Sequence, residues 1–159
     1  MTTTTLAAPR IRLSPQLRRT ILTVHIIVSV GLLGDVAAVL AVNVRAATTG
    51  DPALAAASYE LLQMFTVIFG IPLSMLSLVT GLTLGAGTKW GVLRYRWVAS
   101  KLLLIVSVIL AGALVLGPQT EAMRSGGGSE AALIAASAWD VLALTLATGL
   151  SVFKPRRGR

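Results

Sequence analysis

Residues 20–44, TILTVHIIVSVGLLGDVAAVLAVNV, decide the fold of this chain. The stretch runs for 25 residues without lysine, arginine or proline, whereas about 20 apolar residues cross the roughly 30 Å hydrocarbon core of a bilayer. It nevertheless contains His25 and Asp35, and a carboxylate inside a span costs at least about 2.5 kcal/mol on insertion scales. We therefore predict a transmembrane helix whose two polar side chains face away from lipid.

The composition of the whole chain agrees with a membrane protein. Hydrophobic residues make up 55% of the 159 residues and charged residues only 13%, about half the share found in soluble domains. The chain has no cysteine, which excludes disulfides and thiolate metal sites. Its net charge of +8 comes from short basic clusters between apolar stretches, a pattern typical of topology signals rather than of a nucleic-acid interface.

Four apolar stretches are long enough to span a bilayer, so the sequence predicts an all-α fold, a four-transmembrane-helix bundle. These spans cover about residues 20–44, 61–86, 98–116 and 131–153. Together they form a membrane domain over residues 14–154, between a basic, disordered N-terminal tail (1–13) and a basic C-terminal tail (155–159).

Local signals indicate where the helices begin and end. Ser14-Pro15 and Asp51-Pro52 combine a capping side chain with a proline at the first helical position, which marks a helix start. Gly117-Pro118 is expected to end the third span. Residues 118–130 should then form a loop that ends at Ser129, the cap of the fourth span.

Within the second span, Pro72 predicts a kink, because proline removes one backbone hydrogen bond from a helix interior. Small residues recur at four-residue spacing after it and again in the fourth span, and such ridges let a second helix approach closely. The predicted packing ridges are Ser77/Gly81/Gly85 and Ala132/Ala136.

Charge predicts the orientation. With four spans both termini lie on one side of the membrane, and twelve of the fourteen basic residues lie on that side. Cytoplasmic segments carry the excess of lysine and arginine, so we expect an N-in, C-in protein of the bacterial cytoplasmic (inner) membrane. The basic and aromatic residues of the loop around Trp90 and Trp97 are expected to contact anionic lipid at the cytoplasmic face rather than nucleic acid. Only Arg45 and Arg124 fall on the opposite side.

Polar side chains inside the spans are the candidate functional residues. Asp35 and Asp140 each lie nine residues from the outer end of a span, roughly 14 Å deep at 1.5 Å per residue. Both occur on small-residue faces, so both are expected to face the bundle interior. Either the two carboxyl groups share a proton or bind a cation, or each is protonated or hydrogen-bonded to a neighbouring Thr, Ser or Trp139 and fixes helix register.

His25 lies about 8 Å inside the cytoplasmic edge, at nearly the depth of Lys101, which is close enough to the headgroups to snorkel. A haem bound by two imidazoles would need a second chain, because His25 is the only histidine. A His25/Met75 pair is an alternative ligand set, and a hydrogen-bonded packing role for His25 is the simpler interpretation.

Two segments, LSPQLRRTILTVHIIVSVGLLGDVAAV and GTKWGVLRYRWVASKLLLIVSV, resemble the signature stretches of a bacterial family of small predicted integral membrane proteins, a domain of unknown function. The resemblance implies a pattern of His25 followed by small residues, with Leu32 where members often have Trp. It also implies a W-G-x5-W-V-x-x-K-L motif, here Trp90, Gly91, Trp97, Val98, Lys101 and Leu102. The first span is also similar to copper-resistance membrane proteins, whose further histidines this chain lacks.

The sequence contains no carboxylate–histidine metal spacing, no nucleophile beside a base and no phosphate-binding loop. We therefore predict a non-enzymatic helical bundle, without metal or cofactor, that acts as an oligomer or as an accessory subunit of a larger membrane complex. Two alternatives remain open. One is a proton-coupled carrier or conduit that uses Asp35 and Asp140, and the other is a dimeric b-type haem protein ligated by His25.

Overall fold

A computed structural model describes residues 14–87 and 96–153. Over these residues the chain forms six α-helices and two five-residue π-helical segments, and no strand. They combine into four helices long and apolar enough to cross a membrane, at Pro15–Thr48, Pro52–Ala86, Trp97–Arg124 and Glu130–Val152. The predicted all-α bundle of four spans is thereby confirmed. Both predicted tails and the loop residues 88–95 lie outside the described residues.

The first span is one helix and the fourth is another, whereas the second and third are each two helices joined by a π segment. The α-helices are α1 (Pro15–Thr48), α2 (Pro52–Phe65), α3 (Ile71–Ala86), α4 (Arg96–Ala111), α5 (Gly117–Arg124) and α6 (Glu130–Val152). The predicted start signals are confirmed. Ser14 accepts a hydrogen bond from the Leu17 amide, Asp51 accepts from Ala53, and Ser129 accepts from Ala132.

Both π segments lie just before a proline. Thr66–Gly70 precedes Pro72, and Gly112–Leu116 precedes Pro118. A proline ring collides with the carbonyl four residues earlier in an α-helix, and the wider π turn moves that carbonyl away. The irregularity predicted at Pro72 is therefore present as a π segment. The loop predicted to begin at Pro118 is wrong at its start, because the second π segment lets the helix continue to Arg124.

The centre of the bundle is α1, which packs against α2, α3 and α6, while α4 packs against α6. Five of its seven buried residues follow a heptad, with alternating steps of four and three residues: Leu32, Val36, Val39, Asn43 and Ala46. Val28 and Asp35 are buried outside this series. The buried face of α6 shows the same period at Leu133, Ser137, Asp140 and Leu144. We call these two faces the α1 seam and the α6 seam.

Hydrogen bonds fix how α1 lies against its neighbours. His25 and Ser29 contact Thr80 and Ser77 of α3, in antiparallel order. At the other end of α1, Asn43 Nδ2 donates to Ser137 Oγ of α6 over 3.4 Å. Side chains that can pair only in one register give the bundle a defined alignment even though apolar contacts alone slide easily in lipid.

The predicted ridge on α3 packs inside the chain. Ser77 is buried and lies 3.3 Å from Ser29 of α1. A Cβ added at Gly81 would lie 3.2 Å from Cε1 of His25, so glycine allows the imidazole to lie directly against the α3 backbone. Two of the three ridge residues are therefore already covered by α1. On α6, Ala132 and Ala136 are half-buried, and the fully buried face is the adjacent α6 seam.

Candidate functional site

A cavity of about 470 Å³ opens at the end of the bundle where α1 and α4 begin and α3 and α6 end. We call it the basic cavity, because Arg18, His25 and Lys101 line it together. Ser77 and Ser151 add two hydroxyl groups, and the remaining walls are glycine and apolar side chains of leucine, isoleucine, valine and tryptophan. None of the described lining residues is acidic.

Helix periodicity explains why these side chains meet. Arg18, Leu22 and His25 continue the heptad of the α1 seam toward the N-terminus, so they lie on the face that packs against other helices. On α4, Val98, Lys101 and Ile105 recur at steps of three and four, which places Lys101 on a face that is otherwise apolar. The cavity is thus where two packing faces meet without filling the space between them.

His25 is held in one orientation by α3. Its Nδ1 lies 2.8 Å from Thr80 Oγ1, and the Thr80 hydroxyl itself donates to the Leu76 carbonyl over 2.6 Å. Which of the two groups donates in the contact between Nδ1 and Thr80 depends on the tautomer of the imidazole. His25 also makes a hydrogen bond with the backbone of Ser77, so the imidazole is held to α3 by two residues.

Lys101 is positioned by its neighbour on α4. Its ammonium nitrogen lies 5.0 Å from the centroid of the Trp97 ring, which is within the range of a cation–π contact. Both residues line the basic cavity. The charge is therefore held at the cavity wall, while the aliphatic stem can cover apolar surface.

Asp35 and Asp140 lie elsewhere. Neither lines the basic cavity, and both are buried within the bundle, with 8% and 2% of their surface exposed. Asp35 faces the second span, since its Oδ2 lies 3.4 Å from the position of a Cβ on Gly70, the last residue of the first π segment. Asp140 belongs to the α6 seam, one turn from Ser137.

The helix register also separates the two acids in depth. Asn43 pairs with Ser137 in antiparallel helices, so Asp140 stands level with residue 40 of α1. Asp35 lies five residues closer to the N-terminus of α1 than residue 40, which is about 7.5 Å along the helix axis. The expectation that both carboxyl groups share one depth is therefore wrong.

The side chains expected to donate hydrogen bonds to Asp35 and Asp140 do not donate to their Oδ1 atoms. Oδ1 of Asp35 and Oδ1 of Asp140 have no hydrogen-bond partner among the described residues. Trp139 donates instead to Ser107 of α4, over 3.2 Å. A buried carboxyl oxygen without a donor costs about 1–3 kcal/mol, so the two acids reduce the stability of the seams they occupy.

The ligand sets considered for a metal or haem are only partly assembled. Met75 lies five residues before Thr80, the register partner of His25, and its side chain is 42% exposed and does not line the basic cavity. A His25/Met75 pair is therefore not formed. Within residues 14–87 and 96–153, no group of three or more His, Asp or Glu side chains is placed to hold a metal ion.

The residues that fix the helix register carry little signal in the sequence. Thr80 and Asn43 were not predicted as partners of anything, although Asn43 lies on the heptad that also contains Leu32 and Val36. Extending that heptad toward the N-terminus would have joined Arg18 to His25 on one face. Thr80 has no such signal, because its role depends on which helix packs against α1.

Comparison with known proteins gives a family and no activity. Residues 19–154 match the family described as "Predicted integral membrane protein (DUF2269)". This match includes the whole of both seams and nearly all of the basic cavity. No curated protein and no solved structure matches the chain.

Proposed function

Because the chain belongs to this family of predicted integral membrane proteins, we propose that it is a non-enzymatic membrane protein that binds an anionic lipid in the basic cavity. One observation carries the proposal: Arg18, His25 and Lys101 converge on a space whose other walls are largely apolar. An anionic lipid offers the matching chemistry, with a negative headgroup for the cations and an acyl chain for the leucine, isoleucine and valine side chains.

Charge at the two ends of the bundle supports this assignment. At the end opposite the cavity, Arg124 is paired with Glu121 over 2.9 Å and also donates to Gln63. Asp51, Glu60 and Glu130 belong to that same end. The two remaining acids, Asp35 and Asp140, lie within the bundle, whereas Arg18, Arg19 and Lys101 belong to the cavity end. An anion is therefore attracted to one end only.

The cavity end is proposed to face the bacterial cytoplasm, with both termini on that side. Support comes from the twelve basic residues that four spans place at this end, against two at the other. The cytoplasmic leaflet is the one with the negative surface potential, so the proposed orientation also presents the basic cavity to anionic lipid.

The predicted role as an oligomer or accessory subunit loses part of its support. The ridges Ser77/Gly81/Gly85 and Ala132/Ala136 motivated it, and α1 of the same chain covers Ser77 and Gly81. The proton-coupled alternative uses Asp35 and Asp140, and the register of Asn43 with Ser137 offsets these two residues by about 7.5 Å along the helices. Lipid binding uses a space that the bundle leaves open, and it needs no second chain.

Native mass spectrometry of the detergent-purified chain tests the proposal, with phosphatidylglycerol and phosphatidylcholine of equal acyl chains as probes. We expect the wild type to bind the anionic lipid at least about tenfold more tightly. Replacing both cavity cations, as Arg18→Gln and Lys101→Gln, should remove this preference. The matched control is Arg45→Gln with Arg124→Gln at the opposite end, which should leave it unchanged. Equal binding of both lipids by the wild type would contradict the proposal.

A second candidate is binding of a b-type haem, which one observation favours: the imidazole of His25 lines the cavity. A second axial ligand would come from another chain, because the sequence has no other histidine. Expression with ample haem followed by an absorption spectrum decides this: a Soret band lost in His25→Phe supports it, and a spectrum without that band excludes it.

A further inference from the structure

We propose that Asp140 is a proton-binding site of the folded bundle, where the protonated carboxyl group donates a hydrogen bond to Oδ1 of Asn43. Asp140 belongs to the α6 seam and Asn43 to the α1 seam. Neither residue lines the basic cavity, so this site is separate from the proposed lipid site. The proton comes from the surrounding water when the helices pack, and it returns there when they separate.

The register of the two seams places Asp140 beside Asn43. Asn43 Nδ2 donates to Ser137 Oγ over 3.4 Å, and Asp140 follows Ser137 on the same buried face at the three-residue spacing of helix neighbours. In a helix each Cβ points toward the N-terminus. Because α1 and α6 are antiparallel, the side chains of Asn43 and Asp140 lean toward each other along the seam.

Apolar layers enclose this polar pair on both sides. Toward one end of the bundle, Ala46 of α1 and Leu133 of α6 belong to one buried cluster. Toward the other end, Val36 of α1 and Leu144 of α6 belong to a second buried cluster. The pair is therefore held between two packed layers of the same two helices, away from both ends of the bundle.

Each member of the pair has an enclosed oxygen atom without a donor. Asp140 is 2% exposed and Asn43 is 3% exposed, and Oδ1 of each makes no hydrogen bond with the described residues. The hydroxyl group of Ser137 donates to the Leu133 carbonyl over 2.7 Å instead. One proton on the carboxyl group satisfies both oxygen atoms, because it makes Asp140 a donor and gives Asn43 Oδ1 a partner.

The charges around α6 favour the neutral acid. The elements that pack near it are α1, α2, α4, α5 and the second π segment. The described basic side chains of these elements belong to the two ends of the bundle, and the remaining ionisable groups, including one on α6, are acidic or phenolic. The basic set is Arg18, Arg19, His25, Lys101, Arg45 and Arg124, and the other set is Asp35, Tyr59, Glu60, Glu121 and Glu130. An ionised Asp140 would be a buried charge without a counter-ion at its level, which costs far more than the neutral acid.

A proton fits this space better than a metal ion does. Calcium and magnesium take six or more oxygen ligands, whereas the described side chains here are one carboxyl group, one amide and one hydroxyl group. A proton needs only two oxygen atoms. It also adds no volume to a seam in which Ser137 and Ala143 are completely buried.

Infrared spectroscopy of the full chain in detergent tests the inference at neutral pH, where an ordinary aspartate is ionised. A protonated carboxyl group has a carbonyl stretch that a carboxylate lacks, and a hydrogen bond lowers its frequency. We expect this band in the wild type and its loss in Asp140→Asn. Asn43→Leu should keep the band and move it to higher frequency. Asp35→Asn is the matched control, because it removes the other buried acid and should leave the Asn43-dependent band in place.

Unfolding measurements provide a second readout. After Asn43→Leu or Asp140→Leu alone, the remaining buried oxygen atom has no partner, whereas the double variant leaves neither oxygen. We therefore expect the double variant to melt at a higher temperature than the sum of the two single shifts predicts. If one single variant does not fold and the double variant does, the two residues are coupled in the expected direction.

Three outcomes would overturn the inference. They are a wild-type spectrum without a protonated carboxyl band, a band that Asn43→Leu leaves unshifted, and strictly additive melting shifts. Neither readout involves lipid. Failure of this inference therefore leaves the proposed lipid site standing, and failure of lipid binding leaves the proton site standing.

Discussion

The two halves of the first helix follow one sequence pattern and build opposite environments. The heptad continues without interruption from the open half, at Arg18, Leu22, His25 and Ser29, to the closed half, at Leu32, Val36, Val39, Asn43 and Ala46. In the closed half large side chains of the other helices complete two apolar clusters, one with Val108 and Leu144 and one with Tyr59, Leu62 and Leu133. In the open half α3 presents Gly81 and Gly85, and the space remains a cavity.

The comparison shows that helix periodicity determines which side chains face inward. The size of the residues on the partner helix determines whether those side chains come into contact. A heptad over the whole helix would by itself suggest one continuous dry seam. Glycine on the partner helix brings the backbone close at His25, and leaves no side chain to fill the volume beyond it. The cavity is a consequence of the partner helix rather than of α1.

The largest expected effect is in the closed half. Leu133 is 1% exposed in the cluster around Val39 and Ala46, so Leu133→Ala should lower the free energy of unfolding by about 2–3 kcal/mol through lost packing. Leu22→Ala is the matched control, because Leu22 is 43% exposed and lines the open half. Thermal or denaturant unfolding in detergent measures both. Equal losses in the two variants would mean that the two halves are packed alike.

A smaller effect is expected at Gly81 of α3, which faces the open half. Gly81→Ala places a methyl group 3.2 Å from the imidazole of His25, which should cost about 1–2 kcal/mol as the ring is displaced. The same change should weaken the preference for phosphatidylglycerol over phosphatidylcholine, because the displaced imidazole lines the basic cavity. Gly34→Ala has open space around its Cβ and should be neutral or slightly stabilising. Unchanged stability and unchanged lipid preference in Gly81→Ala would show that His25 is not held by α3.

The smallest effect concerns the acid in the closed half. Asp140 is 2% exposed and its Oδ1 has no donor, so Asp140→Asn, which keeps the shape and removes the ionisable group, should raise the free energy of unfolding by up to about 1 kcal/mol. Asp51→Asn is the control, because either side chain can cap α2. A clear loss of stability in Asp140→Asn would indicate that the carboxyl group is satisfied by something the packing of the seam does not reveal.

Much of the fold could be predicted because membrane spans depend on local composition. Ser14, Asp51 and Ser129 cap the helices that the sequence assigned to them, because a cap and its partner amide are within three residues. Pro118 was misassigned as a helix end, since whether a proline terminates a helix depends on the π segment and the helices around it. The sequence also predicted the packing ridge at Ser77 and Gly81, but it did not predict that α1 of the same chain packs against it.

The site could be predicted only in part. His25 and Lys101 were candidates because polar side chains in a span are costly wherever they lie. Their common cavity, and the presence of Arg18 in it, depend on how α1 and α4 are aligned. Asp35 and Asp140 show the opposite case, since equal distances from the helix ends suggested a common depth, whereas the register of Asn43 with Ser137 offsets them along the helices.

By itself, the sequence determined that this chain crosses the membrane four times and which faces of its helices avoid lipid, because both depend on transfer from water to hydrocarbon and on a 3.6-residue period. Tertiary structure alone decided which polar groups meet. These contacts depend on the antiparallel register of the helices and on the size of the facing residue. Thr80, Gly81 and Asn43 therefore acquire their roles only when the helices are assembled.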